Sequence, residues 1–441
     1  MIDEIKNALI LGKGVSGYAA QKLLKSYKIK NIIIDQNDYN FNSLKLLCEK
    51  QKFSHCVVSP GFANDHPWIC FVKSIKISIL TEFELGWSQL SGKTIAITGS
   101  NGKSTALKIL YDTFLLAGLK VAIGGNYGTP VSNLAIDIKD YDWYLLEVSS
   151  FQLENTTSFK PDIAILLNVY PNHLDRHKTL ESYLKIKCKI FKNTSNSKYL
   201  NIIPYNLRTK IKNYVSKRSN WITFGKEEKA DFRFNDKLIF NKQISSFSIN
   251  NTYLDKFNLC DSTAPALLSV IDFCKIDRNY FTKSIKSFTG LEHRIESIGT
   301  IDDIEFINDS KSTNMYAIIN ALKNLNTKNS IKLIAGGVLK EKNITFVKEI
   351  LADFNVTLYA YGKSASFLCE SWNDLIPCFH YDDLKDASSN AYNDARSGDI
   401  ILLSPGCSSY DQFTSYIERG NYFKKIVNDF RLIKKRKKNE K

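Results

Sequence analysis

The sequence predicts an α/β protein of three domains, and three observations predict it. Glycine-rich turns join a strand-like run to a helical one at two places, Gly12–Gly17 and Gly99–Thr105. Apolar runs beginning near residues 332, 357 and 399 each leave through glycine, with helical sequence between them. A length of 441 residues allows about three domains at roughly 150 residues each. The expected layout is a Rossmann-like domain over 1–91 and a central P-loop-type mononucleotide-binding domain with a mostly parallel sheet over 92–290. A second Rossmann-like domain is expected over 291–441.

Composition narrows the class. With 44% hydrophobic residues the chain can build cores, and its nine cysteines contain no Cys-x-x-Cys pair. Met1-Ile2-Asp3-Glu4 opens with acids and does not read as a signal peptide. Free thiols and no signal predict a cytoplasmic protein. No run reaches the roughly 18–20 apolar residues needed to cross a membrane. The formal charge of +15 comes from lysines spread along the chain, concentrated only at Lys434-Lys435-Arg436-Lys437-Lys438. That pattern fits a lysine-rich surface and a solvated, disordered tail, and predicts no nucleic-acid partner.

In chain order, residues 7–11 read as a strand that runs into Gly12-Lys13-Gly14-Val15-Ser16-Gly17. A helix follows from Tyr18 to about Tyr27, then a strand that ends on Asp35. This satisfies Gly-x-Gly-x-x-Gly with an acid at about the expected distance. The fingerprint places a phosphate-bearing ligand on a helix start, and NAD, FAD or a nucleotide sugar would all suit. Residues 56–61 read as a strand ending in a turn, Thr81 to Leu85 starts a helix, and Ser91-Gly92 looks like a linker.

The second turn is the centre of the chain. Lys93 to Ile97 is a β-rich run, and Ala106 to Leu110 begins a helical pattern that stops near Gly118. Between them lies Gly99-Ser100-Asn101-Gly102-Lys103-Ser104-Thr105. Backbone N–H groups and the helix N-terminus face phosphate there, Lys103 neutralises it, and Ser104 reaches a magnesium ion. Ala96 stands where the longer P-loop has its first glycine, so only Gly-x-x-Gly-Lys-Ser is present. The continuous apolar runs at 143–148 and 163–169 fit strands buried on both faces of a parallel sheet. Glu147 lies at the C-terminal end of the first, the rim where ligands bind. It is either a buried structural acid or a contact to magnesium or water, and the second is expected. The second run leaves through Pro171-Asn172-His173-Leu174-Asp175-Arg176-His177, whose imidazole and carboxylate can ligate a metal. A helix then carries Tyr183, Lys187 and Phe191 four apart on one face. The plain reading of Lys187 is that it snorkels to the surface. Residues 195–257 are polar and strand-like in places, with no role assigned, and 261–275 read as a helix with Pro265 in its first turn.

Beyond Gly290-Leu291-Glu292-His293-Arg294 come a strand at 305–308 and the polar cluster Asp309-Ser310-Lys311-Ser312-Thr313-Asn314. Taken in order, the short phosphate loop, Asn-His-Leu-Asp-Arg-His, Glu-His-Arg and Asn-Asp-Ser-Lys-Ser-Thr-Asn resemble the Mur ligases. These are ATP-dependent amide-bond-forming enzymes of peptidoglycan synthesis. The resemblance covers almost the whole chain. Leu402 to Phe413 and Glu418 to Phe423 resemble the member that adds D-glutamate. Asn101 stands where the alanine-adding member usually has histidine, and the Asp-Asn-Pro-Arg pattern of the diaminopimelate-adding member is absent.

The resemblance implies roles residue by residue. Gly14, Ser16, Asp35, Ser59, Gly61, Asn126 and Gly128 would hold the UDP-sugar part of UDP-N-acetylmuramoyl-L-alanine. Gly99, Asn101, Gly102, Lys103, Ser104 and Thr105 would hold ATP phosphates, joined by Arg294, Asp309 and Lys311. Ser104 and Glu147 would bind one Mg2+ and His173 a second, with Lys187 carrying a CO2-derived carbamate beside them. Lys103, Glu147, His173, Lys187 and Lys311 would be the catalytic set. Thr313, Lys340, Ser409 and Tyr416 would hold D-glutamate, with tyrosine where the family usually has phenylalanine at the last. Leu259-Cys260 and Thr263 replace the His-Asn and Asn of the helix that contacts adenine. A monomer acting on small molecules is expected. The competing readings are a folylpolyglutamate-type ligase, a non-catalytic nucleotide-binding protein and a NAD-binding oxidoreductase.

Overall fold

The computed structural model describes the chain except residues 138, 216–218, 236–237, 242–243, 251, 253–262, 326, 340, 342 and 440–441, and the side chains of 175, 244–245 and 436–439. The chain divides into two compact units with the break between Ser287 and Phe288. The first unit carries two sheets and the second carries one.

The first sheet contains β1 (Asn7–Leu11), β2 (Lys30–Ile34), β3 (His55–Val58) and β4 (Ser78–Thr81), in the order β2-β1-β3-β4. All its pairings are parallel. Ala8, Leu9, Ile10 and Leu11 are fully buried, as a strand covered by helices on both faces requires. The helix after β1 is Val15–Ser26, starting three residues before the expected Tyr18. Gly17, the third fingerprint glycine, lies inside its first turn, where a Cβ would collide with the Gly12 carbonyl. Close helix–strand packing therefore sets the earlier start. Two further helices, Phe41–Lys50 and Pro67–Ser74, complete this layer.

The second sheet holds β5 (Lys93–Thr98), β6 (Val121–Gly125), β7 (Trp143–Glu147), β8 (Ile163–Leu166), β9 (Leu200–Pro204), β10 (Asn220–Gly225), β11 (Phe232–Asn235), β12 (Leu238–Asn241) and β13 (Ile244–Ser248). Their order is β13-β12-β11-β10-β9-β8-β5-β7-β6. From β6 to β11 the pairing is parallel, and β12 and β13 add antiparallel strands. The region without an assigned role thus widens the sheet that carries the phosphate loop. The four-apart helix needs correction. It runs Leu180–Lys187 and tightens into a 3-10 turn over Cys188–Phe191. Tyr183 and Lys187 keep their shared face, whereas the tighter turn sends Phe191 against Trp221 at a centroid distance of 5.1 Å. The helix expected over 261–275 is Thr263–Phe273, and residues 261 and 262 lie outside the described residues.

Two buried carboxylates tie the first sheet's last helix, Glu82–Trp87, to the second layer. Glu84 accepts the backbone N–H groups of Thr157 (2.9 Å), Ser158 (2.5 Å) and Phe159 (3.0 Å). Glu82 accepts that of Ser132 at 2.7 Å. Both layers therefore belong to one unit, with Ser91-Gly92 as a short connection inside it.

The second unit's sheet holds β14 (Glu296–Ile301), β15 (Ile304–Asn308), β16 (Ile331–Gly336), β17 (Val356–Tyr361), β18 (Cys378–Tyr381) and β19 (Ile400–Gly406), in the order β14-β15-β19-β16-β17-β18. Only β14 pairs antiparallel. The basic C-terminal stretch, expected as a disordered tail, continues a helix, Tyr416–Asn439. Phe423, Ile426 and Val427 bury one stripe of it at helical spacing, which anchors the turns that follow. Among the described residues no helix is long and apolar enough to cross a membrane.

Glu82 gives the fold a pH signature. Burial pushes its carboxyl up to about 7, against the hydrogen bonds from Ser132 and Val131. Between the ordinary glutamate value and about 7 the folded chain holds a proton that the unfolded chain has released. Stability therefore falls as pH rises through that window. At about 1.4 kcal/mol per pH unit the effect is on the order of 3 kcal/mol. Glu82→Gln stays neutral, so the melting temperature of the natural chain relative to this variant is expected to drop between pH 5 and pH 8. Parallel Tm–pH curves would contradict the assignment.

Candidate active site

The phosphate loop lies between β5 and the helix Lys103–Leu116, at the C-terminal edge of the second sheet. Gly102 is the helix N-cap at φ +79°, a conformation that glycine adopts without strain, and no side chain caps the helix. The first turn of this helix opens at the loop, where N–H groups suit an anion. Lys103 curls back over the loop, and its Nζ donates to the carbonyls of Gly99 (2.9 Å) and Ser100 (3.0 Å). Gly99, Asn101 and Thr105 complete the turn, with Ser104 fully buried behind them.

Ser104 donates its hydroxyl to Glu147 at the end of β7. The other Glu147 oxygen accepts from Asn126 Nδ2 at 2.7 Å, and Asn126 N donates to the Glu147 carbonyl at 2.9 Å. A hydroxyl and a carboxylate meeting at a helix start are hard oxygen donors, the set that suits Mg2+. Both Ser104 and Glu147 are wholly buried.

Lys187 does not snorkel. It is 1% exposed, and its Nζ donates to the same Gly99 carbonyl at 2.8 Å, with Thr98 Oγ1 at 3.4 Å. The Tyr183 ring lies beneath it, 4.5 Å from Nζ to centroid. Burial, and then the charge of Lys103, hold its amine well below the ordinary lysine value, opposed by Glu147. His173 sits at the strand exit in a left-handed conformation, its ring packed on Phe151 (4.7 Å) and facing Tyr183 (6.5 Å). His177 is instead held inside the fold by Ser150 (3.0 Å) and Glu154 (3.4 Å). Among the described residues no group of three or more His, Cys, Asp or Glu side chains forms a metal cluster.

Sequence reasoning missed the group that holds the loop. Asn168 Oδ1 accepts from Ser100 N (3.0 Å) and Asn101 N (2.9 Å), and its Nδ2 donates to Asn101 O at 3.2 Å. Tyr170 N donates to Ser100 Oγ at 2.9 Å. The polar residue at the end of an apolar strand was the available signal. Arg176 was also missed. Its guanidinium grips Glu154 (2.9 and 2.6 Å) and donates to the carbonyls of Pro60 and Phe62, both at 2.8 Å.

At the first sheet, Gly14 is the exposed N-cap of Val15–Ser26, and Ser16 is half-buried in its first turn. Asp35 accepts from Lys13 N and Asn37 N, both at 3.0 Å, and these amides hold its carboxyl below the usual range. Ser59 donates to Gly12 O at 3.5 Å, and Gly61 follows on the exposed turn. Asn126 and Gly128 lie elsewhere, after β6, Asn126 beside Glu147 and Gly128 against Ile123. The next helix, Val131–Leu134, packs on Val15–Ser26.

In the second unit, Asp309 is buried between Ser404 Oγ (2.9 Å) and Ile295 N (3.2 Å). Burial pushes its carboxyl up to about 7. Lys311 N donates to His293 O at 3.0 Å, and its ammonium lies 5.2 Å from the centroid of the Tyr416 ring. Arg294 is in the turn between them, Thr313 is half-buried, and Ser409 is buried after β19. Lys340 lies outside the described residues, as do Leu259 and Cys260.

The parallel sheet, the strand–loop–helix cradle and its lysine define a P-loop-type nucleotide enzyme. Comparison with known proteins narrows this. The Mur ligase middle domain matches residues 97–264, and the Mur ligase, glutamate ligase domain matches 293–407. A UDP-N-acetylmuramoylalanine--D-glutamate ligase from Natranaerobius thermophilus is 30% identical, covering 97% of this chain and 99% of that protein. One of the same name from Thermoanaerobacter pseudethanolicus is 33% identical over 97% and 99%. Among solved structures, Thermotoga maritima MurF ligase in complex with ADP aligns at a TM-score of 0.57 and 16% identity, covering 97% of each chain. Escherichia coli FolC in complex with DHPP and ADP aligns at 0.59 and 16%, covering 79% of this chain and 92% of that one. The chain belongs to the Mur ligase family of ATP-dependent amide ligases.

Asn168→Ala removes three hydrogen bonds from the phosphate loop. At roughly 0.5–1.5 kcal/mol each, affinity for a non-hydrolysable ATP analogue is expected to weaken at least about tenfold by calorimetry. Unchanged affinity in a folded variant would show that the loop holds its shape without Asn168.

Proposed function

We propose that the protein joins D-glutamate to UDP-N-acetylmuramoyl-L-alanine with ATP, through an acyl phosphate. The ligase class follows from the family. The particular substrates are supported by relatives of that name which span the chain from end to end. The observation that carries the chemistry is Lys187, whose amine is buried beside the phosphate loop and held well below the ordinary lysine value.

Three functional domains, 1–91, 92–290 and 291–441, divide the work in this reading. The first holds the uridine diphosphate through Gly14, Ser16, Asp35, Ser59 and Gly61, with Asn126 and Gly128 next along the substrate. The Gly99–Thr105 loop cradles the ATP phosphates. Arg294, Asp309 and Lys311 serve the nucleotide, and Thr313, Lys340, Ser409 and Tyr416 the amino acid. Magnesium, held by Ser104 and Glu147 with a second ion at His173, would offset phosphate charge.

The substrate carboxylate is a poor electrophile until it carries a leaving group. Its oxygen attacks the γ-phosphorus, the bond to the ADP oxygen breaks, and an acyl phosphate forms. Lys103 and Lys311 stabilise charge gathered on the phosphoryl oxygens. The neutral amine of D-glutamate then attacks the acyl carbon. A C–N bond forms, the C–O bond to phosphate breaks, and phosphate departs carrying the proton that the nitrogen gives up. Lys187 supports this as a carbamate, its neutral amine becoming an anion that would help hold Mg2+. Its nitrogen adds to CO2 and loses a proton, so a neutral group beside Lys103 becomes an anionic one. A cytoplasmic monomer completes the reading.

Phosphate release measured with UDP-N-acetylmuramoyl-L-alanine, ATP and a panel of amino acids should require D-glutamate. Release that requires another amino acid would reassign the specificity, and calorimetric binding of NAD with none of the UDP-sugar would revive the oxidoreductase reading. Lys187→Ala is expected to lose at least a hundredfold in kcat and to recover part of it with short carboxylic acids. Full activity without rescue would remove the carbamate from the mechanism.

A further inference from the structure

Arg419 is the largest buried charge that the reaction scheme leaves unused. It lies one turn into the helix Tyr416–Asn439 and is 0% exposed. Its Nε donates to Ser310 Oγ at 3.0 Å and its Nη2 to Ser310 O at 2.8 Å. Its Nη1 donates to Cys407 O at 3.1 Å, with Tyr361 Oη at 3.4 Å and Gly336 O at 3.5 Å. Every one of these acceptors is neutral. A buried guanidinium is costly unless its donors are met, and here carbonyls and hydroxyls meet them in place of a carboxylate.

The acceptors share a location. Ser310 follows β15 and precedes Lys311, Gly336 ends β16, Tyr361 ends β17, and Cys407 follows β19 two residues before Ser409. One side chain therefore joins the exits of four strands. Ser310 passes the connection on, donating its hydroxyl to Tyr416 O at 2.7 Å. Val338 and Ser408 then bridge the two loops on either side of Cys407, at 2.8 and 3.0 Å.

We propose that Arg419 is the positioning residue of the amino-acid site: it fixes the spacing of Lys311, Ser409 and Tyr416, and its charge, hydrogen-bonded only to neutral oxygens with the Asp309 carboxyl nearby, favours a substrate that brings a second carboxylate. This rests on the D-glutamate reading. A purely structural arginine would lower stability and kcat together. A positioning residue of this rim moves the KM for the amino acid.

The test uses the full chain with Arg419→Lys, Arg419→Met, Arg419→Ala and Ser310→Ala, following phosphate release. In Arg419→Lys and Arg419→Met the KM for D-glutamate is expected to rise at least tenfold, with UDP-N-acetylmuramoyl-L-alanine affinity by calorimetry unchanged. Millimolar guanidinium should restore part of the D-glutamate KM in Arg419→Ala. A folded Arg419→Met with the natural KM, or with a loss confined to kcat, overturns the proposal. If Arg419→Met does not fold, Ser310→Ala decides, since it keeps the arginine and removes one acceptor. There a several-fold KM rise is expected, and an unmoved KM overturns the proposal. Natural chain that releases phosphate without needing D-glutamate overturns the parent reading and this one together. D-glutamate-dependent release with an unmoved KM in the variants overturns this one alone.

Discussion

One carbonyl oxygen, that of Gly99, accepts from two lysines, and much of the site follows from that. Lys103 and Lys187 both end at this atom, 2.9 and 2.8 Å away. Loss of water is the larger cost for an ammonium in so buried a place, and repulsion between the two adds to it. Relief comes from holding an amine near neutrality, and the deeply buried Lys187 is depressed. The rest supports this arrangement. Asn168 fixes the loop so that Gly99 points inward, Tyr183 floors the buried amine, and Glu147 supplies the nearby negative charge.

The chain handles buried charge in a different way at each place. Glu84 is surrounded by backbone N–H groups, which suit an anion. Glu82 and Asp309 have fewer donors and are pushed toward the neutral form, both to about 7. Arg419 has no such option, because guanidinium does not give up its proton, so it collects carbonyls instead. The side chain's chemistry thus decides whether burial ends in neutralisation or in a web of dipoles.

Most of the architecture was legible in the sequence, because central parallel strands are continuous apolar runs and their exits are glycine-rich. Residues 143–148 and 163–169 are of this kind, and β7 and β8 begin where those runs begin. Edge strands carry less signal. β11 to β13 are short and polar on one side, so their antiparallel pairing came only from the fold. The phosphate loop was legible because its residue types are dictated by the chemistry at fixed spacing. Lys187 was visible as an oddity on an aromatic face, but its depth was not, since burial depends on Thr98 and Gly99, nearly ninety positions away. The partners of Asn168, Arg176 and Arg419 were hidden for the same reason. Each acts on backbone atoms of distant segments, and backbone acceptors leave no mark on residue type.

Arg176 has a consequence for how the ligands communicate. It stands three residues after His173, is paired with Glu154, and holds the carbonyls of Pro60 and Phe62 that flank Gly61. The turn beside the first sheet and the strand exit beside the phosphate loop are therefore clamped by a single planar group. A ligand that orders the turn lowers the entropy left for ordering the exit, so the second ligand meets a partner already in place. Thermodynamics makes that benefit mutual: whatever factor one ligand adds to the affinity of the other is returned in full.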